Sequence, residues 1–200
     1  MNSYTLKKVT GTPDWSKIPA VGMDVVYRAA DVKAWAQLCW DEAGLLVHLS
    51  AKENNIRCKE TDPMAEICLD SCLEFFFRPT ESMLYFNFEF NPACGLYLGY
   101  GSSLPTLIRL KVPDEKAYFS PEAYRTNDGW GITYRVPFTF IQQFFPDFDA
   151  YEGRKFYGNF YKCGDNTDHP HHMSWNKIDL PRLNFHSPQF FGELIFGGAE

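Results

Sequence analysis

No stretch of this 200-residue sequence approaches the ~18 consecutive apolar residues that a membrane-spanning helix requires. Runs of lysine or arginine are also missing, and the formal net charge is -6. Nucleic acid, whose phosphates are held by clustered cations, is therefore excluded as an expected partner, and so is a membrane. The opening segment, Met1 to Asp14, has no apolar block of the secretory kind, so a soluble, cytoplasmic protein is expected. Six cysteines (Cys39, Cys58, Cys68, Cys72, Cys94 and Cys163) lack the dense spacing of a disulfide framework. Free, buried thiols are expected instead. No repeat, low-complexity block or Pro/Gly-rich linker divides the chain, so residues 1–200 are read as one domain. Nothing in the sequence sets an oligomeric state.

What the chain has in abundance is aromatic side chains, 17% of all residues, with 18 Phe, 11 Tyr and 5 Trp. Bulky rings suit pleated surfaces, and those beyond the needs of a core can line a binding face. Turn residues punctuate the chain at short intervals, the spacing of a multi-stranded antiparallel fold. Strands are predicted over Gly44–Ala51, Ser71–Arg78, Met83–Asn91, Trp130–Pro137, Lys155–Cys163 and Phe190–Phe196, with a hairpin turn at Pro79–Ser82. One helical segment is predicted, Phe138–Phe145, ended by Pro146.

Period-2 alternation assigns faces to these strands. Leu84, Phe86, Phe88 and Phe90 fall on one side of their strand, and Tyr85, Asn87, Glu89 and Asn91 on the other. The preceding strand separates Leu73, Phe75 and Phe77 from Glu74, Phe76 and Arg78. In Lys155–Cys163, Phe156 and Phe160 oppose Tyr157, Asn159 and Tyr161. If the polar faces adjoin in one sheet, they make a concave floor of Tyr, Asn, Glu and Arg, a binding surface in chemical terms.

Four strings in order resemble landmarks of the family 9 carbohydrate-binding modules, within the DOMON-like superfamily. They are Asp70-Ser71-Cys72-Leu73-Glu74-Phe75-Phe76-Phe77, Tyr85 to Asn91, Asn159 to Asp165, and a tail containing His172-Met173-Ser174-Trp175, Phe185-His186-Ser187-Pro188 and Phe191-Gly192. The resemblance runs from about Trp15 to the C-terminus. It implies an all-β antiparallel sandwich of immunoglobulin-like or jelly-roll type, and non-catalytic carbohydrate binding as its work. Sugar-binding members of the family clamp a ring between two tryptophans while polar strand residues hold the hydroxyls, and structural calcium is often present. By that resemblance Trp175 matches one clamp position and Glu74 a carboxylate that takes a hydroxyl. Asn87, Glu89 and Asn91 lie on the strand that supplies further polar contacts, and His172 matches a polar contact three residues before Trp175. Arg78 completes the polar floor. The second clamp tryptophan has no counterpart: the stretch before Asp70 reads Met64-Ala65-Glu66-Ile67-Cys68-Leu69, offering only Met64 or Ile67. Calcium rests on the resemblance alone, because no clustered Asp/Asn loop is present.

Three other readings compete. Glu74 and Glu89 would supply the paired carboxylates of a glycoside hydrolase if their strands pair. The Asp165–His172 segment, with three histidines and two aspartates, invites a metal, although its bunched spacing matches no standard zinc motif. A DOMON-like haem site would draft His172 or Met173, and a protein-interaction domain would have no pocket around Trp175.

Overall fold

The computed structural model describes residues 1–199. Its strands are β1 (Ser3–Lys8), β2 (Val21–Gly22), β3 (Val25–Arg28), β4 (Val32–Trp40), β5 (Gly44–Glu53), β6 (Cys72–Arg78) and β7 (Tyr85–Phe90), followed by β8 (Leu96–Gly101), β9 (Ile108–Arg109), β10 (Glu122–Thr126), β11 (Gly129–Pro137), β12 (Lys155–Cys163), β13 (His172–Ser174) and β14 (Gly192–Phe196). Two short helices, α1 (Glu115–Phe119) and α2 (Phe138–Gln142), lie between them. Strands predicted from alternation appear within a few residues of their expected bounds. The expected helix over 138–145 stops at Gln142, and α1 and the long strand β4 were not foreseen.

Two layers form the sandwich. One contains β10-β11-β5-β4 with β2 on the β4 edge, and the other β14-β12-β6-β7-β8-β9, with β13 and β3 extending from β12. β1 joins the layers, pairing with β14 through Ser3–Leu6 and with β4 through Lys7–Lys8. Both β1 pairings are parallel, so the all-antiparallel expectation holds for every strand pair except these. The reason is chain direction: a terminal strand inserted between two existing edges takes whichever polarity those edges offer.

Alternation places the core where the sequence put it. Phe75, Phe77, Phe86, Phe88 and Phe160 point inward from the β6 layer and meet Leu45, Val47, Leu49, Trp130 and Ile132 of the β5 layer, all buried. Removing a Phe or Leu side chain of this kind from water contributes about 1.5–3 kcal/mol. The inward row of β12 also carries a charge, since Lys162 stands opposite Leu73 and is 0% exposed. Its ammonium lies 3.1 Å from Glu53 Oε2, donates to the Cys163 carbonyl at 2.9 Å and sits 2.7 Å from His171 Nε2. Glu53 comes from β5 and accepts from Ser71 Oγ at 2.7 Å and Trp130 Nε1 at 3.1 Å. This network ties the two layers together, every charged group in it being paired as burial demands. All six cysteines are free thiols, of which Cys39, Cys72 and Cys163 are buried.

The other face of the β6 layer is also covered. Phe76, Tyr85 and Tyr161 point outward and are buried beneath Ile178, Leu183, Phe185, Phe190 and Phe191 from the segment after β13. Among the described residues no helix is long and apolar enough to cross a membrane.

Candidate binding cavity

Register builds the site. β6 pairs with β12 on one side and β7 on the other, so Tyr161, Glu74 and Glu89 stand in one row, and Tyr97 of β8 extends it. The adjacent row holds Asn159, Phe76, Asn87 and Gly99. Gly99 is needed there, because a Cβ would meet Asn87 Oδ1 at 2.0 Å. Cys163 and Cys72 are paired at the other side of the Glu row. The polar faces of three strands therefore do adjoin, as alternation suggested.

A cavity of about 450 Å³ opens above this floor, within the size range of small-molecule sites. Glu74, Glu89, Tyr97 and Cys163 line its base, His172, Asp165, Phe185 and His186 one wall, and Glu66, Cys68, Leu104 and Arg182 its rim. Phe185 stacks flat on Tyr161, with centroids 4.2 Å apart and 12° between planes. His172 meets Phe185 edge-on and pairs with Asp165 Oδ1 at 2.6 Å. His186 Nδ1 lies 2.8 Å from Tyr85 OH.

The two floor carboxyls have unusual electrostatics. Glu74 accepts from Cys163 Sγ at 2.7 Å, and Glu89 from Asn87 Nδ2 at 2.7 Å. Directly opposed cross-strand residues have Cβ atoms about 4.5–5.5 Å apart, so each carboxylate feels the other. Burial raises Glu74 from the ordinary carboxyl value to about 7, opposed by the Cys163 thiol. Burial, and then the neighbouring Glu74, hold Glu89 well above the usual range. Burial likewise lowers His186 to about 4, so that it is a neutral ring at physiological pH.

The profile of carbohydrate-binding family 9 matches residues 15–196. The chain belongs to that family. Among solved structures, a candidate carbohydrate-binding protein from Bacteroides uniformis ATCC 8492 superposes with a TM-score of 0.83 at 26% identity, over 97% of this chain and 98% of that one. A family 9 module from Caldicellulosiruptor kristjanssonii in complex with glucose gives a TM-score of 0.72 at 11% identity, over 100% of this chain and 97% of that one. The same module with cellotriose also gives 0.72 at 11% identity, over 100% and 95%. At that identity the likeness is one of fold. No curated protein matches the chain.

Against this family background, the expected site residues divide. Glu74, Glu89 and His172 come together at the cavity, whereas Asn87 is buried outside its lining and donates to Glu89. Trp175 does not line it. Only 5% exposed, Trp175 packs on Phe160 in the central core at 5.4 Å and borders a separate depression beside Val25 and Gln189. Asn91 follows the end of β7. Its Oδ1 accepts from Ala93 and Gly95 backbone N–H groups at 3.1 and 2.8 Å, and its Nδ2 donates to Glu60 O and Asp70 Oδ2. The amide is fully committed, Oδ1 to the turn after β7 and Nδ2 to the segment around Glu60 and Asp70. Arg78 is four residues from Glu74, roughly 13 Å along the strand. There it donates to Glu81 O at 2.9 Å and lies over the Tyr157 ring.

The segment expected to supply the second clamp residue does reach the cavity rim, through Glu66 and Cys68. Met64 is 58% exposed and Ile67 buried. Arg109 holds this segment by donating to the Met64 carbonyl at 2.7 Å and the Ala65 carbonyl at 2.9 Å. Sequence reasoning missed Tyr97 and Arg182 as lining residues. Cys163 and Asp165 stood in the Asn159–Asp165 landmark string, and Phe185-His186 in the tail string, but none of these four was given a role in the site.

The histidine-rich loop disperses. His171 goes inward to Lys162, His172 pairs with Asp165, and His169 is exposed. Of the two residues a haem site would draft, Met173 is packed in the core and His172 is paired with Asp165 at the cavity. Calcium wants six to eight oxygen ligands. The group of metal-capable side chains that converges among the described residues is Cys72, Glu74 and Cys163, whose two thiols do not fit calcium.

Proposed function

We propose that this chain binds a sugar ring or glycan end in the cavity, without performing chemistry on it. The observation that carries the reading is the Glu74–Glu89 pair at the base, beneath the Phe185 wall. Family membership supports it, as do the glucose and cellotriose complexes of the similarly folded module. A carboxyl pair with raised proton affinity retains a proton near neutrality. It then offers donor and acceptor side by side, matching the alternating needs of neighbouring sugar hydroxyls. A pyranose also presents flat C–H faces to an aromatic ring. Phe185 supplies such a ring at the cavity wall, and His172, His186 and Arg182 surround it with polar groups. With Trp175 packed into the core, Phe185 takes the stacking role and Trp175 holds up the floor from behind.

The paired carboxylates make hydrolysis the second reading. Register sets the two side by side on neighbouring strands, but the carboxyls of a glycosidase must flank the scissile bond. Here both rise from one floor on adjacent strands, and each is held by a neighbour. The binding reading is tested by calorimetric titration with glucose, cellotriose and a panel of mono- and oligosaccharides. Saturable binding is expected, weakened roughly 5–10-fold by Phe185→Ala, the scale of one aromatic contact. Folded wild-type protein that responds to no sugar overturns the reading. Turnover of aryl glycosides would shift it to hydrolysis.

A further inference from the structure

We infer that the base of the cavity is a thiophilic metal site, with Cys72, Cys163 and Glu74 as three protein ligands to a divalent cation of the zinc class. Cys72 and Cys163 are directly opposed on β6 and β12, and Glu74, two residues on from Cys72, projects from the same face. Their donor atoms all lie within 4.8 Å of one another. Tetrahedral zinc with sulfur at about 2.3 Å and oxygen at about 2.0–2.2 Å sets donor separations of roughly 3.3–3.8 Å. Closing the cluster to that geometry takes side-chain adjustment of about 1 Å. The ligands stand on two adjacent strands of a packed sheet, so the backbone already holds them in place.

Three further features favour a cation here. Glu74 and Cys163 both line the open cavity, which gives an ion a path from solvent. Cys68 also lines the cavity, and its carbonyl lies 3.7 Å from Cys163 Sγ; with three protein ligands, the fourth position is left to a water from the open side. Around the cavity stand the carboxyls of Glu66, Glu74, Glu89 and Asp165, against the single guanidinium of Arg182. The buried ammonium of Lys162 points to the opposite face of β12 and is committed to Glu53. Glu89, anchored by Asn87, stands beside Glu74 as an outer partner that orients the ligating carboxylate. The mixed sulfur and oxygen set selects zinc-like ions over calcium or magnesium. Binding exchanges thiol protons for the metal and releases them to solvent, with no change of oxidation state.

The experiment uses the full chain, reduced and stripped with a chelator, and titrated anaerobically with Co²⁺ as a spectroscopic probe. One equivalent is expected to bring up a thiolate-to-cobalt charge-transfer band with the visible absorption of a tetrahedral ion, both erased by Zn²⁺. Cys163→Ser and Cys72→Ser should each weaken binding by more than about 100-fold, beyond the 10–100-fold usual for losing an outer partner. Cys58→Ala should leave it unchanged. Should the serine variants misfold, competition of the wild-type protein against a chromophoric Zn²⁺ chelator reads the same point, because one equivalent of Zn²⁺ must be held by the wild type and equally by Cys58→Ala. No cobalt band in folded, reduced protein overturns the proposal, as does a band that survives Cys163→Ser. Isolation with a Cys72–Cys163 disulfide that persists under reductant overturns it too. No sugar enters the titration, so failure here leaves the carbohydrate reading untouched, and failure to bind sugar leaves the metal site untouched.

Discussion

Replacing Glu74 by Gln should stabilise the metal-stripped protein in alkaline solution and leave it nearly unchanged in acid. The folded protein raises Glu74 from 4.5 to about 7, and one pKa unit corresponds to 1.36 kcal/mol. Ionising this buried side chain in the folded protein therefore costs on the order of 3 kcal/mol of folding free energy. A group whose folded pKa is raised keeps its full stability below the unfolded value and loses it as pH rises through the folded one. The loss thus develops between about pH 4.5 and 7 and is complete by about pH 8. Gln has the shape without the charge. It weakens the contact with the Cys163 thiol, worth about 1 kcal/mol. At pH 8.5 the variant should be more stable by about 2 kcal/mol, and at pH 4.5 less stable by 1 kcal/mol or less. In a 200-residue chain about 2 kcal/mol moves the melting temperature by roughly 4–8 °C. Urea denaturation and thermal melting at the two pH values read this out. Equal destabilisation of the variant at both pH values would refute the argument from burial. Glu89→Gln should act in the same direction, and the double variant should give less than the sum, because the two carboxyls titrate as a pair.

The acid side should show the opposite slope. His48, His171 and His186 are each lowered to about 4, chiefly by burial, so their stability is lost as pH falls from about 6.5 through 4. His186→Gln should flatten that limb in a pH series of melts, and an unchanged limb would count against a buried neutral ring. Lys162→Met should cost about 3–5 kcal/mol by leaving Glu53 buried without its cation, measured by chemical denaturation. A cost under about 1 kcal/mol would mean the ammonium is not the tie between layers. Trp175→Ala should cost about 3–5 kcal/mol as a core truncation. The protein that still folds should bind sugar within about twofold of wild type, whereas a loss of affinity without loss of stability would restore Trp175 to the site.

What the sequence by itself determined is whatever depends on local period. Alternation in Leu84–Asn91 and Cys72–Arg78 is a property of neighbouring residues, so it assigned Phe75, Phe77, Phe86 and Phe88 to the core and put Glu74 and Glu89 on one face. Strand bounds followed from turn residues, and the ordered strings placed the chain in its family. Tertiary structure decided which of those polar residues meet a ligand-sized space. Asn91 shares the face of Glu89 by period, yet it lies past the strand end, where the turn after β7 and the segment around Glu60 and Asp70 take up its amide. Arg78 shares the face of Glu74 but sits roughly 13 Å away along the strand. Trp175 matched a clamp position by its string, but its backbone N–H continues the ladder to Phe160 O at 3.0 Å and its ring packs on Phe160 in the core. Phe185 and His186 reach the cavity only because the segment after β13 folds back over the sheet. The convergence of Cys72 and Cys163, 91 positions apart, follows from the register of β6 against β12. Register and loop return are set by contacts between distant residues, and no local period carries that information.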